Sequence, residues 1–186
     1  SVLKENGMNE KLKKIVLGGG CFWCLDPIYK NLTGVEDVVV GYAGGSVSSP
    51  TYEQVCTGRT GHAEVVEVTY DPEKMSLNGL LDVFFQMHDP TTLNRQGADV
   101  GTQYRSIILV QDEAEKEQVK EIVEKIDPSD LWKSKIVTQI DVLKEFYPAE
   151  EYHQDYFEKN PWAGYCQMVI KPKVKKFKEK FADQLK

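Results

Sequence analysis

The stretch Lys13-Lys14-Ile15-Val16-Leu17-Gly18-Gly19-Gly20-Cys21-Phe22-Trp23-Cys24 decides how this chain is read. An apolar, partly β-branched run ends in three glycines, and a cysteine, two aromatics and a second cysteine follow. That pattern is a strand, a tight turn and the start of a helix. A cysteine at a helix start faces unpaired backbone N–H groups, which favour its thiolate. A free thiol is only about 3% ionised at neutral pH, and lowering its pKa by about two units makes most of it thiolate. Cys21 is therefore expected to be reactive rather than a packing residue, since three glycines leave room for a close ligand approach.

Outward from this stretch, a helix is expected to about Leu32, with Pro27 making its first turn irregular. Val35–Ala43 reads as a second strand and Ala63–Tyr70 as a third, separated by a long segment rich in Gly, Ser, Thr and Pro. Ser76 is a good N-cap for a helix carrying Leu77, Leu80, Leu81, Phe84, Phe85 and His88 on one face. Tyr104–Gln111 reads as strand four, and Asp112 with Glu115 as a capping box for a helix to about Ile126. Ile136–Leu143 reads as a fifth strand, Ala149–Lys159 as a short helix, and Val174, Phe177 and Phe181 mark an amphipathic terminal helix. The leading order β-α-β-β-α-β predicts an α+β fold: a ferredoxin-like split βαβ core, a mixed sheet with helices packed on it. Residues 1–12 read as an N-terminal extension and residues 13–186 as a single domain.

The 186 residues can bury a substantial core. A formal charge of −6 argues against nucleic acid or an anionic membrane as partner. No apolar run approaches the roughly 18 residues a membrane span needs, and Ser1–Lys14 lacks the apolar centre of a secretory signal. The four cysteines, at 21, 24, 56 and 166, then read as free or redox-active thiols in a reducing compartment, the cytoplasm.

Cys21 and Cys24 form a C-x-x-C, which by itself fits a dithiol redox pair or half of a zinc site. No second C-x-x-C is present, and His62, His88 and His153 lack metal-ligand spacing with the other thiols, so no metal is expected. Glu64 shares its strand parity with Val66, Val68 and Tyr70, which puts a carboxyl on an apolar face. Desolvation there raises its pKa and equips it as a general acid. Tyr52 and Tyr104 are possible hydrogen-bond donors to a developing oxyanion, though spacing alone does not select them among nine tyrosines. Asp99 lies in a polar loop, where a solvated carboxylate is the default.

The signature Gly20-Cys21-Phe22-Trp23 resembles that of the A-class peptide methionine sulfoxide reductases. In the same order, Gly41-Tyr42-Ala43-Gly44-Gly45, Pro50-Thr51-Tyr52, Thr60-Gly61-His62-Ala63-Glu64 and His88-Asp89-Pro90 are similar too. So are Asp99-Val100-Gly101-Thr102-Gln103-Tyr104-Arg105-Ser106, Glu151-Tyr152-His153-Gln154 and Gly164-Tyr165-Cys166. The resemblance covers roughly residues 13–168.

It implies that Cys21 attacks the sulfur of a methionine-S-sulfoxide, in a protein or free. Glu64 protonates the oxygen, assisted by Tyr52, Tyr104 and Asp99, and Phe22 and Trp23 hold the substrate methyl group. Methionine leaves, Cys21 becomes a sulfenic acid, and a second thiol condenses with it to a disulfide. Thioredoxin then reduces that disulfide, making this a protein-repair enzyme of oxidative stress, with no cofactor and acting as a monomer. Two resolving thiols are open. Cys166 matches the tail resolver of many relatives and is slightly favoured, although Gln167-Met168-Val169-Ile170 is not a glycine-rich tail. Cys24, a glycine in many relatives, is the other; Cys56 is the least favoured. A general dithiol oxidoreductase using Cys21 and Cys24, and a zinc-binding or interaction domain, are the competing readings.

Overall fold

The computed structural model describes residues 11–126 and 134–186. Of the expected extension, residues 1–10 lie outside the described part. In chain order the main elements are β1 (Lys13–Gly18), α1 (Phe22–Lys30), β2 (Val35–Ala43), α2 (Tyr52–Cys56), β3 (Ala63–Tyr70) and α3 (Leu77–Met87). A two-strand ribbon follows, β4 (Arg95–Gln96) with β5 (Asp99–Val100), then β6 (Ile107–Val110), α4 (Glu113–Lys125), β7 (Gln139–Val142) and β8 (Phe146–Pro148). The chain closes with α5 (Tyr156–Lys159), a π-helical segment Cys166–Ile170 and α6 (Lys171–Lys180).

Six strands form one mixed sheet in the order β7-β6-β1-β3-β2-β8. Among the described residues, only β6 and β7 run parallel as neighbours; β1 and β2 both pair antiparallel with β3, which separates them. The fold is α+β.

Alternation along each strand sends its apolar residues to two faces. Ile15, Leu17, Val66, Val68, Ile108 and Val110 point to the helices and join Leu25, Ile28, Leu80, Phe84 and Phe177 in the main core. Val16, Val65, Ile107 and Leu109 form a smaller cluster on the other face. Each fully buried large side chain contributes roughly 1.5–3 kcal/mol of transfer free energy, set against chain entropy. Glu64 falls on the helix-facing side with Val66 and Val68, as its parity predicts.

Several boundaries differ from the sequence reading. Pro27 lies inside an unbroken α1, with its carbonyl accepting the Asn31 side-chain N–H at 2.6 Å. The long Gly-rich segment contains α2, started by a capping box in which Thr51 and Gln54 exchange side-chain and backbone bonds. Strand four is shorter than expected: Tyr104 lies in a 3₁₀ turn, Thr102–Tyr104, ahead of β6. The expected helix over 149–159 is broken, because Asp155 takes a left-handed conformation before α5. The ribbon β4–β5 and edge strand β8 are too short to leave a periodic signal.

Candidate active site

Gly20 turns the chain from β1 into α1 with φ of +92°, a region that favours glycine, and a Cβ there would come within 2.7 Å of the Gln96 side chain. Its N–H donates to the Tyr104 carbonyl at 3.2 Å, which ties the 3₁₀ turn to the glycine run. Cys21 follows as the N-cap of α1, half-buried and in extended conformation.

The first helical N–H of α1 is claimed by a side chain from the sheet. Phe22 N–H donates to Glu64 Oε1 at 3.2 Å, inside the core. A helix N-terminus leaves such donors unpaired, so β3 supplies an acceptor where the helix needs one. Glu64 is only 1% exposed, and among the described residues its Oε2 has no hydrogen-bond partner of normal geometry. Burial pushes its carboxyl up to about 8; the Phe22 N–H works against this, the Asp99 charge adds to it, and the nearby Cys21 thiol slightly opposes it. At neutral pH most of Glu64 therefore carries its proton.

Cys21 departs from the expectation of a depressed pKa. Burial, followed by the charges of Glu64 and Cys24, raises its thiol well above the ordinary range. The Trp23 backbone N–H and Tyr165 hydroxyl pull the other way and do not prevail. Position at a helix start favours the thiolate; removal from water opposes it, and here desolvation dominates.

Asp99, on β5, accepts the Tyr165 hydroxyl at Oδ2 (3.3 Å), and the same hydroxyl lies 3.9 Å from Cys24 Sγ. Tyr165 so connects Asp99, Cys24 and Cys21. These residues line a cavity of about 260 Å³, together with Gln96, Val169 and Lys173. Tyr104 and Tyr52 are half-buried, and burial holds both phenols above their usual pKa, followed by the Glu64 charge for Tyr104 and by a hydrogen bond with Cys56, then the Glu64 charge, for Tyr52. Tyr52 stands first in α2, where its N–H donates to Glu150 Oε2 at 3.0 Å. Glu150 Oε1 accepts the Tyr42 hydroxyl at 2.8 Å, so one carboxylate fastens α2 to β2. Burial works to raise Glu150, but these hydrogen bonds hold it below the usual carboxylate range.

The two aromatics after Cys21 belong to one cluster. Phe22 is fully buried against Tyr42, Tyr52 and His153. Trp23 is half-buried, stacks on Tyr156 at 3.7 Å and meets Tyr165 edge-on at 5.8 Å. Its indole N–H donates to His153 Nδ1 at 3.0 Å, so that nitrogen is an acceptor and the ring is neutral. Burial lowers the His153 pKa, consistent with this tautomer.

All four cysteines are unpaired. Cys24 faces the cavity, Cys166 is fully buried in the main core, and Cys56 is exposed at the end of α2. Among the described residues, no group of three or more His, Cys, Asp or Glu gathers as a metal site would. The sequence reading assigned no role to Tyr165, His153, Glu150 or Lys173. Tyr165 and His153 stood inside quoted motifs; Glu150 and Lys173 look like ordinary solvated charges until the fold brings them in.

A sheet-borne acid beside a cysteine at a helix start, walled by aromatics, defines a thiol-dependent α+β enzyme. The profile of the peptide methionine sulfoxide reductase family matches residues 13–185. A peptide methionine sulfoxide reductase MsrA of Nautilia profundicola is 57% identical over 166 residues, covering 89% of this chain and 94% of the relative. Among solved structures, methionine sulfoxide reductase A of Corynebacterium diphtheriae superposes with a TM-score of 0.78 at 39% identity, over 85% of this chain and 79% of that one. Mxr1 from Saccharomyces cerevisiae in complex with Trx2 superposes with a TM-score of 0.55 at 32% identity, over 79% and 86%. The chain belongs to the peptide methionine sulfoxide reductase family.

Proposed function

We propose that this chain reduces methionine-S-sulfoxide to methionine through Cys21, and that thioredoxin recycles it. Family membership supports the activity, and the Mxr1–Trx2 complex of a relative supports thioredoxin as the reductant. One observation carries the assignment of roles: a carboxyl that keeps its proton to about pH 8 is bound to the same helix start that presents Cys21.

A sulfoxide oxygen is a poor leaving group until it is protonated. In the proposed step, Cys21 Sγ attacks the substrate sulfur and the S–O bond breaks as the oxygen passes to Cys21. Glu64 gives its proton to that oxygen and takes up the proton that the Cys21 thiol releases, so the site's proton count is unchanged. Methionine leaves and Cys21 remains as sulfenic acid. Tyr52 and Tyr104, kept protonated by burial, donate hydrogen bonds to the oxygen as charge develops on it. Asp99 holds Tyr165 toward the two thiols. Phe22 and Trp23 supply the apolar contact for the substrate methyl, Trp23 held in place by His153 and Tyr156.

The order β6-β1-β3-β2, with β3 between parallel β1 and β2, supports reading the core as a ferredoxin-like split βαβ within one domain over residues 13–186. Four unpaired thiols fit a reducing compartment, the cytoplasm in this reading, where the chain acts as a monomer. Separate assays of the S and R epimers with thioredoxin test the proposal. Turnover of the S epimer alone, abolished by Cys21→Ser, is expected; comparable turnover of the R epimer contradicts it.

A further inference from the structure

The flat wall of the aromatic cluster rests on a four-residue helix. Tyr156, the first residue of α5, stacks on the Trp23 indole at 3.7 Å with the two planes 6° apart. A single turn is too short to be stable by itself, so the residue ahead of α5 decides where Tyr156 lies. That residue is Asp155, in left-handed conformation at φ 54° and ψ 33°. Aspartate tolerates this region better than most side chains, but not freely. Its carboxylate does not cap α5, the usual work of an aspartate at that position. It pairs instead with the Lys30 ammonium.

Lys30 ends α1, the helix that begins beside Cys21. Trp23, Asp26 and Lys30 stand three and four residues apart and so share one face of that helix. The Lys30 ammonium lies 2.9 Å from Asp26 Oδ1, and Asp26 is only 2% exposed. Burial pushes the Asp26 carboxyl up to about 6; Lys30 beside it works against this, and the charges of Glu158 and Asp37 add to it. At neutral pH Asp26 is therefore mostly ionised, and the ammonium sits between two carboxylates. One belongs to α1 and the other to the turn before α5.

The residue before that turn is fastened elsewhere. The Gln154 side chain accepts the Val40 N–H at 3.0 Å and donates to the Val40 carbonyl at 2.9 Å, which pins it to β2. The chain thus leaves β2 at Gln154, reverses hand at Asp155 and delivers Tyr156 to Trp23.

We infer that Lys30 is a positioning residue for the substrate pocket: it clamps Asp155 to Asp26 and so sets Tyr156 against Trp23. This rests on the reductase reading, in which Trp23 holds the substrate methyl. Cys21 and the Phe22 N–H that holds Glu64 lie at the opposite end of α1 from Lys30. The clamp therefore bears on how the sulfoxide is held and not on the transfer of its oxygen.

Lys30→Met keeps most of the side-chain stem and removes the charge. A KM for methionine-S-sulfoxide about three- to fivefold higher is expected, less than the roughly tenfold of one lost apolar contact, with the first-turnover rate at saturation within about twofold of the parent. Lys30→Arg is expected to restore KM. Asp155→Asn still tolerates the left-handed turn and leaves the Lys30–Asp26 pair in place, and it is expected to raise KM as Lys30→Met does. An unchanged KM in Asp155→Asn would mean that Lys30 serves only to neutralise Asp26, and would overturn the inference. The Trp23 indole N–H, bonded to His153, gives a second readout by NMR, its signal identified by its loss in Trp23→Leu. Lys30→Met is expected to shift that signal and speed its hydrogen exchange. A Lys30→Met protein that melts earlier but keeps the parent KM and indole signal has lost stability alone, which also overturns the inference. Trp23→Leu separates the two readings. Should it leave KM unchanged, the pocket reading itself fails; should it raise KM while Lys30→Met does not, only the role of Lys30 falls.

Discussion

The Phe22 backbone N–H donates to Glu64 Oε1 at 3.2 Å, joining the first turn of α1 to the middle of the sheet. The bond fixes where the acid stands relative to Cys21, one residue before Phe22. It also fixes the acid against a helix end, where a partial positive charge would ordinarily ionise it. Burial prevails, and Glu64 stays protonated to about pH 8.

Glu64→Gln keeps the acceptor for Phe22 and removes the proton donor. The first-turnover rate is expected to fall by about 10²–10⁴-fold, the usual range for losing a positioned acid. Rapid-quench measurement of methionine release checks this.

The same substitution reports on stability. The folded Glu64 pKa, about 8, lies above the ordinary 4.5, so the folded state binds the extra proton. Its contribution is full below about pH 4.5 and is lost as pH rises toward 8. Thermal melts are expected to show Glu64→Gln gaining on the parent across that window, with the gain levelling off above it.

His88 has the opposite sign. It is buried, with Nδ1 2.5 Å from the Phe84 carbonyl and Nε2 2.8 Å from Ser106 Oγ, and burial lowers its pKa to about 4. Neutral His88 contributes stability above its unfolded pKa of 6.5, and about 3 kcal/mol is lost as pH falls from there toward 4. Denaturant titrations at stepped pH are expected to show that loss, and His88→Gln to reduce its slope.

Trp23→Leu removes the flat face held by Tyr156 and His153. A KM for methionine-S-sulfoxide about tenfold higher is expected, the scale of one lost apolar contact. Steady-state kinetics with saturating thioredoxin measure it.

Gly45→Ala tests the loop that carries Tyr52. A Cβ there would stand 2.3 Å from His62 N and 2.5 Å from the Thr60 carbonyl, both backbone atoms that cannot step aside. Destabilisation of about 1–3 kcal/mol is expected, the range for overpacking, and urea unfolding reads it.

The sequence made the local parts of this site legible. Glu64 was found by strand parity, because period-two alternation is set by the backbone alone. The strand–glycine–cysteine–helix run placed Cys21 correctly at the N-cap. Its thiol pKa was misjudged because burial depends on what the rest of the chain stacks over the helix start. Tyr165, Glu150 and Lys173 escaped for a related reason: each reaches the site from a segment far along the chain, Tyr165 lying 66 residues from Asp99 and Glu150 98 residues from Tyr52, and takes its meaning from what it meets there. α2 was hidden by its Gly- and Ser-rich surroundings, although Thr51 and Gln54 spell its capping box.

The pH dependence of the first-turnover rate tests the pairing of Cys21 with Glu64 most directly. A rate that is level from about pH 6 to 7.5 and falls above about pH 8, as Glu64 loses its proton, is predicted. A rate that instead climbs through that range, following ionisation of the Cys21 thiol, would contradict it.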